Sequence, residues 1–219
     1  MSSRRAPAFV RASYPPPPFA ATFVVAAEAR PNRAPTSPRV AAALIDPGFF
    51  DPALLDVIEQ NGLEITAVLI THDHPAHTYG LGTVVRAYGP TVYAGRGVVA
   101  GVPATTLSDG ERLAVGGLQL QAIALHGDGG EVLAYRLDDI LFSGPALSAG
   151  EVGSTASPEA AARQEQALRE RVATLPGATR ILPGHGPPTT VALEVAFNPA
   201  LRPPAQPSAT PRTDRAAGR

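Results

Sequence analysis

Residues 65–71 read ITAVLIT, and from there the chain runs straight into HDHPAH at 72–77. An apolar run this short is what a strand buried on both faces requires. A strand covered on both faces belongs to a sheet with packed layers on either side. Its far end delivers three imidazoles within six residues to a strand terminus, where a rigid scaffold presents functional groups.

The rest of the pattern agrees with a layered α+β arrangement. Residues 21–28 and 39–46 read as strands joined by a Pro/Asn/Ser-rich turn. Asp51-Pro52 starts a helix that Gly62 stops. A second helix is predicted over 78–88, closed by Gly89. Short strands follow at 91–94, 118–125, 131–137 and 140–143, with Asp138-Asp139 as the tight turn between the last two. Ser157-Pro158-Glu159 caps a long helix to about residue 175, with Gly177 beyond it. A strand over 178–182 and a short helix from 189 or 190 close the pattern. Strands, a helix, more strands and then helices predict a sheet-on-sheet core with helices outside.

The 219 residues suffice for one domain with a full core, and 44% are apolar. Residues 1–18 and 199–219 are rich in Pro, Ala and Arg and lack periodicity, so they read as flexible tails around a folded domain at 19–198. All 18 basic residues are arginine and there is no cysteine. That excludes a Walker lysine, a Schiff-base lysine, disulfides, thiol nucleophiles and cysteine metal knuckles. A net charge of −1 gives no basic field for nucleic acid. No apolar run approaches the roughly 18–20 residues of a membrane span. Residues 15–18 are all proline where a secretory signal needs an apolar core, so a cytoplasmic protein is expected.

Five histidines carry the chemistry: His72, His74, His77, His126 and His185. His126 directly follows the strand at 118–125, and His185 lies in LPGHGPPTT at 182–190. A His-X-His pair with one distant histidine supplies three nitrogens to a zinc ion and leaves a fourth position open. The order of the segments resembles the metallo-β-lactamase fold superfamily, the group that includes glyoxalase-II-like thioesterases. LIDPG at 44–48 resembles its first aspartate-glycine turn, and THDHPAH its T-H-x-H-x-D-H signature. LFSG at 141–144 resembles the strand before its bridging aspartate, LPGHGPPTT its last histidine loop, and Asn198-Pro199 its usual ending. The likeness spans about residues 20–199 and implies a four-layer αβ/βα sandwich.

In that family three histidines hold the first metal, and they fall here on His72, His74 and His126. His77 and His185 match two ligands of the second metal. The motif aspartate is replaced by Ala76 and the bridging aspartate by Pro145. Two divalent ions about 3.5 Å apart repel by about 19 kcal/mol at an effective dielectric of about 20. Without both carboxylates a second ion is poorly held, so the expectation is one Zn2+ ion at a three-histidine site. Asp46 either orients a ligand histidine or closes its own turn. Asp128 is the better candidate to replace a lost carboxylate, and Asp73, between two ligands, the lesser one. Tyr79 either polarises a substrate carbonyl or, the favoured alternative, packs on its helix. Ser143 and Ser148 lie outside any G-x-S-x-G elbow, which argues against a serine nucleophile.

Two functions remain open on the sequence. One is a hydrolase of a small ester, thioester or lactone, in which a metal-bound hydroxide attacks the carbonyl and His77 or His185 handles protons. The other is a catalytically degenerate member acting as a binding or scaffold module. The full histidine set favours the first, and the losses at 76 and 145 favour the second. The partner expected is a small-molecule substrate, with neither nucleic acid nor membrane. A proline-rich segment stands where the glutathione branch places basic residues, which argues against glutathione thioesters.

Overall fold

The computed structural model describes residues 8–31, 37–127 and 130–202. The first half runs β1 (Phe9–Ser13), β2 (Thr22–Ala26), β3 (Val40–Ile45), α1 (Pro52–Gln60), β4 (Leu63–Leu69), α2 (Pro75–Thr78), α3 (Leu81–Tyr88) and β5 (Thr91–Ala94). Three two-residue strands follow, β6 (Val98–Val99), β7 (Val102–Pro103) and β8 (Thr105–Thr106). The second half runs β9 (Arg112–Val115), β10 (Leu118–Gly127), β11 (Gly130–Leu137), β12 (Ile140–Gly144), β13 (Leu147–Ser148) and β14 (Glu151–Val152). It continues with α4 (Pro158–Ala167), a π-helical turn over Leu168–Val172, β15 (Arg180–Pro183), β16 (Thr189–Thr190), α5 (Val191–Phe197) and a 3-10 turn over Pro199–Leu201.

Two six-stranded sheets form, in the orders β1-β2-β3-β4-β5-β8 and β16-β15-β12-β11-β10-β9. Period-two strand geometry sends alternate apolar residues to opposite faces. From the first sheet Phe23, Ile45 and Leu69 point inward against Leu120, Leu133, Tyr135 and Phe142 of the second. Their strand neighbours Val24, Leu44 and Val68 point outward onto Leu54 and Ile58 of α1 and Leu81 and Val84 of α3. Outside the second sheet, Leu125 and Ile181 pack on Ala167, Leu168 and Val172. Helix, sheet, sheet and helix make the four-layer αβ/βα sandwich. The carboxyl part of β4, Ala67–Leu69, is buried on both faces because α3 covers one and the second sheet the other, whereas Glu64 and Thr66 nearer its start are exposed. Among the described residues no helix is long and apolar enough to cross a membrane.

Local signals act as read in several elements. Asp51 accepts from Leu54 N at 2.8 Å at the start of α1, and Ser157 caps α4 through Ala160 N. Asp138 takes the left-handed turn position, at φ +50°. Other expectations need correction. The segment 1–18 is not wholly a tail: Phe9–Ser13 pairs antiparallel with β2 as an edge strand, while residues 1–7 lie outside the described part. At the other end Leu201 is buried within the 3-10 turn, and residues 203–219 lie outside the described part. The helix expected over 78–88 starts only at Leu81, after the separate turn of α2, because the Gly80 N–H donates to the Pro47 carbonyl at 2.9 Å instead of within a helix. The long helix to 175 ends its α-helical stretch at Ala167 and closes as a π turn by Val172.

Candidate metal centre

The carboxyl ends of β3, β4, β12 and β15 meet at one edge of the sandwich. Parallel pairing brings the ends of β3 and β4 together in one sheet and those of β12 and β15 in the other, and Gly144 packs on Thr71 and Gly184 on His77 where the two meet. β3 delivers Asp46, β4 delivers Thr71 and His72, β12 delivers Gly144 and Pro145, and β15 delivers His185. The two sheets are tied at this edge by Leu133 N donating to Thr71 O at 2.9 Å and by the Tyr135 hydroxyl donating to Ile70 O at 2.9 Å. Burial pushes the Tyr135 phenol well above its ordinary range, so it stays a neutral donor.

Asp46 is the buried centre of the site, 1% exposed and in a left-handed conformation at φ +50°. Its Oδ1 accepts from Thr71 N at 2.8 Å. Its Oδ2 accepts from the Thr71 hydroxyl at 2.6 Å and lies 2.9 Å from Nδ1 of His77. A carboxylate oxygen accepts, so His77 donates from Nδ1 and its Nε2 is the ring nitrogen left for the cavity. The Asp46 carbonyl also closes its own turn, accepting from Gly48 N at 2.7 Å, while its carboxylate holds the His77 ring. His77 is itself 2% exposed and sits on α2. A side chain at Gly184 would stand 2.8 Å from its Cε1, so the glycine is what gives the ring room.

His72, His74, His77 and His185 line one cavity of about 620 Å³ together with Pro145, Ser148, Glu151 and Gln164. The His72 and His74 rings lie nearly parallel with centroids 6.0 Å apart. His72 and His77 are 6.3 Å apart and His77 and His185 5.6 Å, both edge-on. Nδ1 of His74 accepts from Ala76 N at 3.3 Å, which leaves Nε2 for the cavity. Burial, then the neighbouring His77 and His74 imidazoles, lower the pKa of His72. Burial, then His77, lowers that of His185. Both rings are therefore neutral near pH 7, the state that can donate a lone pair.

The donor chemistry suits a borderline divalent cation. Two imidazoles on one tetrahedral ion place their centroids about 5 Å apart, and the observed pairs are wider. Among the described residues no three such groups close into a metal-holding set. The His126 backbone pairs with Glu131 near the end of β10. Its side chain and Asp128 lie outside the described part. Asp73 turns away from the cavity: it accepts from Ala100 N at 3.1 Å and Arg96 Nη1 at 3.5 Å. Tyr79 is 69% exposed and meets Phe19, with centroids 5.4 Å apart, so the favoured expectation of packing on its helix does not hold. The Ser143 and Ser148 hydroxyls donate to the Leu147 and His185 carbonyls, at 2.7 and 3.0 Å. Glu151 and Gln164 were missed by sequence reasoning, because a two-residue hairpin and a mid-helix glutamine carry no pattern.

An αβ/βα sandwich with imidazoles gathered at the carboxyl ends of its strands is the metallo-β-lactamase type of fold. The profile of the Metallo-beta-lactamase superfamily matches residues 41–105. The chain is 31% identical over 183 residues to the probable metallo-hydrolase YqgX of Bacillus subtilis, covering 72% of this chain and 86% of that one. It is 32% identical over 146 residues to a hydroxyacylglutathione hydrolase of Methylobacillus flagellatus, covering 66% and 57% respectively. It thus spans little more than half the length of that relative. Among solved structures, TTHA1623 in a di-iron-bound form superposes with a TM-score of 0.69 at 28% identity, covering 86% of this chain and 98% of that one. The chain belongs to the metallo-beta-lactamase superfamily.

Proposed function

We propose that the protein hydrolyses a small ester, thioester or lactone at a single-metal site formed by His72, His74 and His126, with His77 and His185 as proton-handling groups. The observation that carries this reading is the meeting of four imidazoles in one 620 Å³ cavity, with a buried aspartate fixing the tautomer of one. Such a volume suits a small molecule, and the strand-end location suits catalysis. In the reaction, the oxygen of water joins the acyl carbon, the bond to the leaving oxygen or sulfur breaks, and the leaving group takes up a proton. A bound divalent ion supplies Lewis acidity, polarising the carbonyl and lowering the pKa of water. His77, held at Nδ1 by Asp46, has Nε2 free to take a proton and return it to the leaving group. His185, neutral near pH 7 and edge-on to His77, is placed for the same role. The cytoplasm and a small-molecule partner, without nucleic acid, complete the proposal.

A second reading, a catalytically silent binding module, is favoured by the replacement of both family aspartates, by Ala76 and Pro145. One experiment separates the two. Protein purified without added metal is assayed for metal by elemental analysis and screened against esters and thioesters, with and without added zinc. About one ion per chain and hydrolysis that His72→Ala abolishes support the hydrolase. Two tightly held ions, or turnover unchanged in His72→Ala, refute the single-metal mechanism. No metal and no turnover with added zinc leave the binding module. In Ala76→Asp with Pro145→Asp a second ion is expected to bind.

A further inference from the structure

We propose that Glu151 makes this cavity select substrates whose remote portion is cationic or a neutral hydrogen-bond donor, and reject those carrying a carboxylate there. The inference rests on the hydrolase reading above and adds the substrate class. The cavity has two unlike walls. The imidazoles of His72, His74, His77 and His185 form one part of the lining, and Ser148 and Glu151 of the adjoining β13–β14 hairpin form another. A scissile group engaged by the histidines points the rest of its molecule at the hairpin. Among the described lining residues there is no arginine, the chain has no lysine, and Glu151 is the one carboxylate. Arg96, on the histidine side, is turned to Asp73. Glu151 is exposed, and its carboxylate has no hydrogen-bond or ion-pair partner among the described residues. Recognition of a carboxylate calls for a guanidinium or ammonium partner, and this wall presents the opposite charge.

The hairpin is a built wall rather than a loose loop. Ala146 O accepts from Gly153 N and from Gln164 Nε2, each at 3.0 Å, which closes the hairpin's base. Gln164 Nε2 also faces Gly153 O at 3.5 Å. Two carbonyls fix the orientation of this amide and leave its Oε1 buried without a donor, so the clamp is kept at the cost of an unsatisfied acceptor. The Ser148 hydroxyl ties the hairpin to the His185 carbonyl. At the tip, Gly150 N donates to the buried Glu194 carboxylate at 3.1 Å, which also receives the Thr189 hydroxyl and the Asn198 amide. The placement of Glu151 in the lining of the histidine cavity is therefore set by the fold.

A unit charge about 6 Å from Glu151, at an effective dielectric of about 40 for a half-open cavity, changes affinity about tenfold, in its favour for a cation and against it for an anion. Two panels test this on the metal-loaded protein at low salt. The first measures hydrolysis of acetylthiocholine, of the acetyl thioester of tert-butylethanethiol as its uncharged match, and of S-acetyl mercaptopropionate. The second measures binding, by ligand-observed NMR titration, of choline, its neutral match tert-butylethanol, and the anion of tert-butylacetic acid. The cation is expected first and the anion last in both panels. In Glu151→Gln the cation-to-anion ratio should fall by at least about tenfold, and high salt should shrink it in the wild type. An unchanged ratio in Glu151→Gln, or preference for the anionic probe in the wild type, overturns the proposal. A Glu151-dependent choline preference with no hydrolysis of any thioester sinks the hydrolase reading and leaves only the charge selectivity of the cavity for its ligands. Hydrolysis of all three at equal rates does the reverse.

Discussion

Replacing Asp46 by alanine tests the buried network at the centre of the site. Its carboxylate satisfies three buried donors: Thr71 N, the Thr71 hydroxyl and His77 Nδ1. Each orphaned donor costs about 1–2 kcal/mol of the desolvation it has already undergone. Alanine at φ +50° adds about 1 kcal/mol of left-handed strain. The expected loss is about 4–7 kcal/mol, a large share of the ~5–15 kcal/mol that holds a domain folded. For a chain of this length it corresponds to a fall in Tm of about 10–25 °C. Chemical denaturation of metal-free protein, read by far-UV circular dichroism, measures it. Asp46→Asn is the companion variant: it keeps the shape, tolerates the left-handed backbone and still accepts from Thr71 N. It turns charge-assisted bonds into neutral ones, for a loss of about 1–3 kcal/mol. Its amide also donates toward Nδ1 of His77, which moves the imidazole proton to Nε2, a shift that nitrogen NMR reads directly. An alanine variant with the wild-type denaturation midpoint would falsify the claim that Asp46 anchors this edge.

Two further outcomes follow from the same geometry. Gly184→Ala places a methyl group 2.8 Å from His77 Cε1; it should cost about 1–3 kcal/mol and disturb the His77 ring signals, and an unmoved His77 spectrum would refute the contact. The metal-free protein should lose stability as pH falls below about 6.5. His72 and His185 have folded pKa values below their unfolded ones, mainly through burial, so the unfolded chain takes up protons first as pH drops. A denaturation series from about pH 7.5 down to about pH 5.5 checks the sign, and His72→Gln with His185→Gln should flatten the slope; an unaltered slope in that double variant would remove these two rings as the cause.

Local chemistry was legible wherever a short stretch decides its own conformation. The caps at Asp51 and Ser157, the turn at Asp138 and the apolar run before His72 could be placed from their neighbours in sequence. The strand at Phe9–Ser13 could not, because its residues are half-buried or exposed and it exists through the ladder offered by β2. The same applies to the break at Gly80, whose cause is the Pro47 backbone more than thirty positions earlier.

What the sequence determined alone was therefore the set of donors and the layers to carry them: five imidazoles, no cysteine and no lysine, and strands apolar on both faces. Tertiary structure decided which of these groups meet. Asp46 and His77 lie 31 positions apart and share a hydrogen bond because β3 and β4 run parallel and end together. Glu151 lines the same cavity as the imidazoles because Gln164 and Glu194, from two different helices, pin its hairpin there. Hydrophobic periodicity is a property of neighbours along the chain, whereas such a meeting depends on the register and packing of whole sheets, which no local window contains.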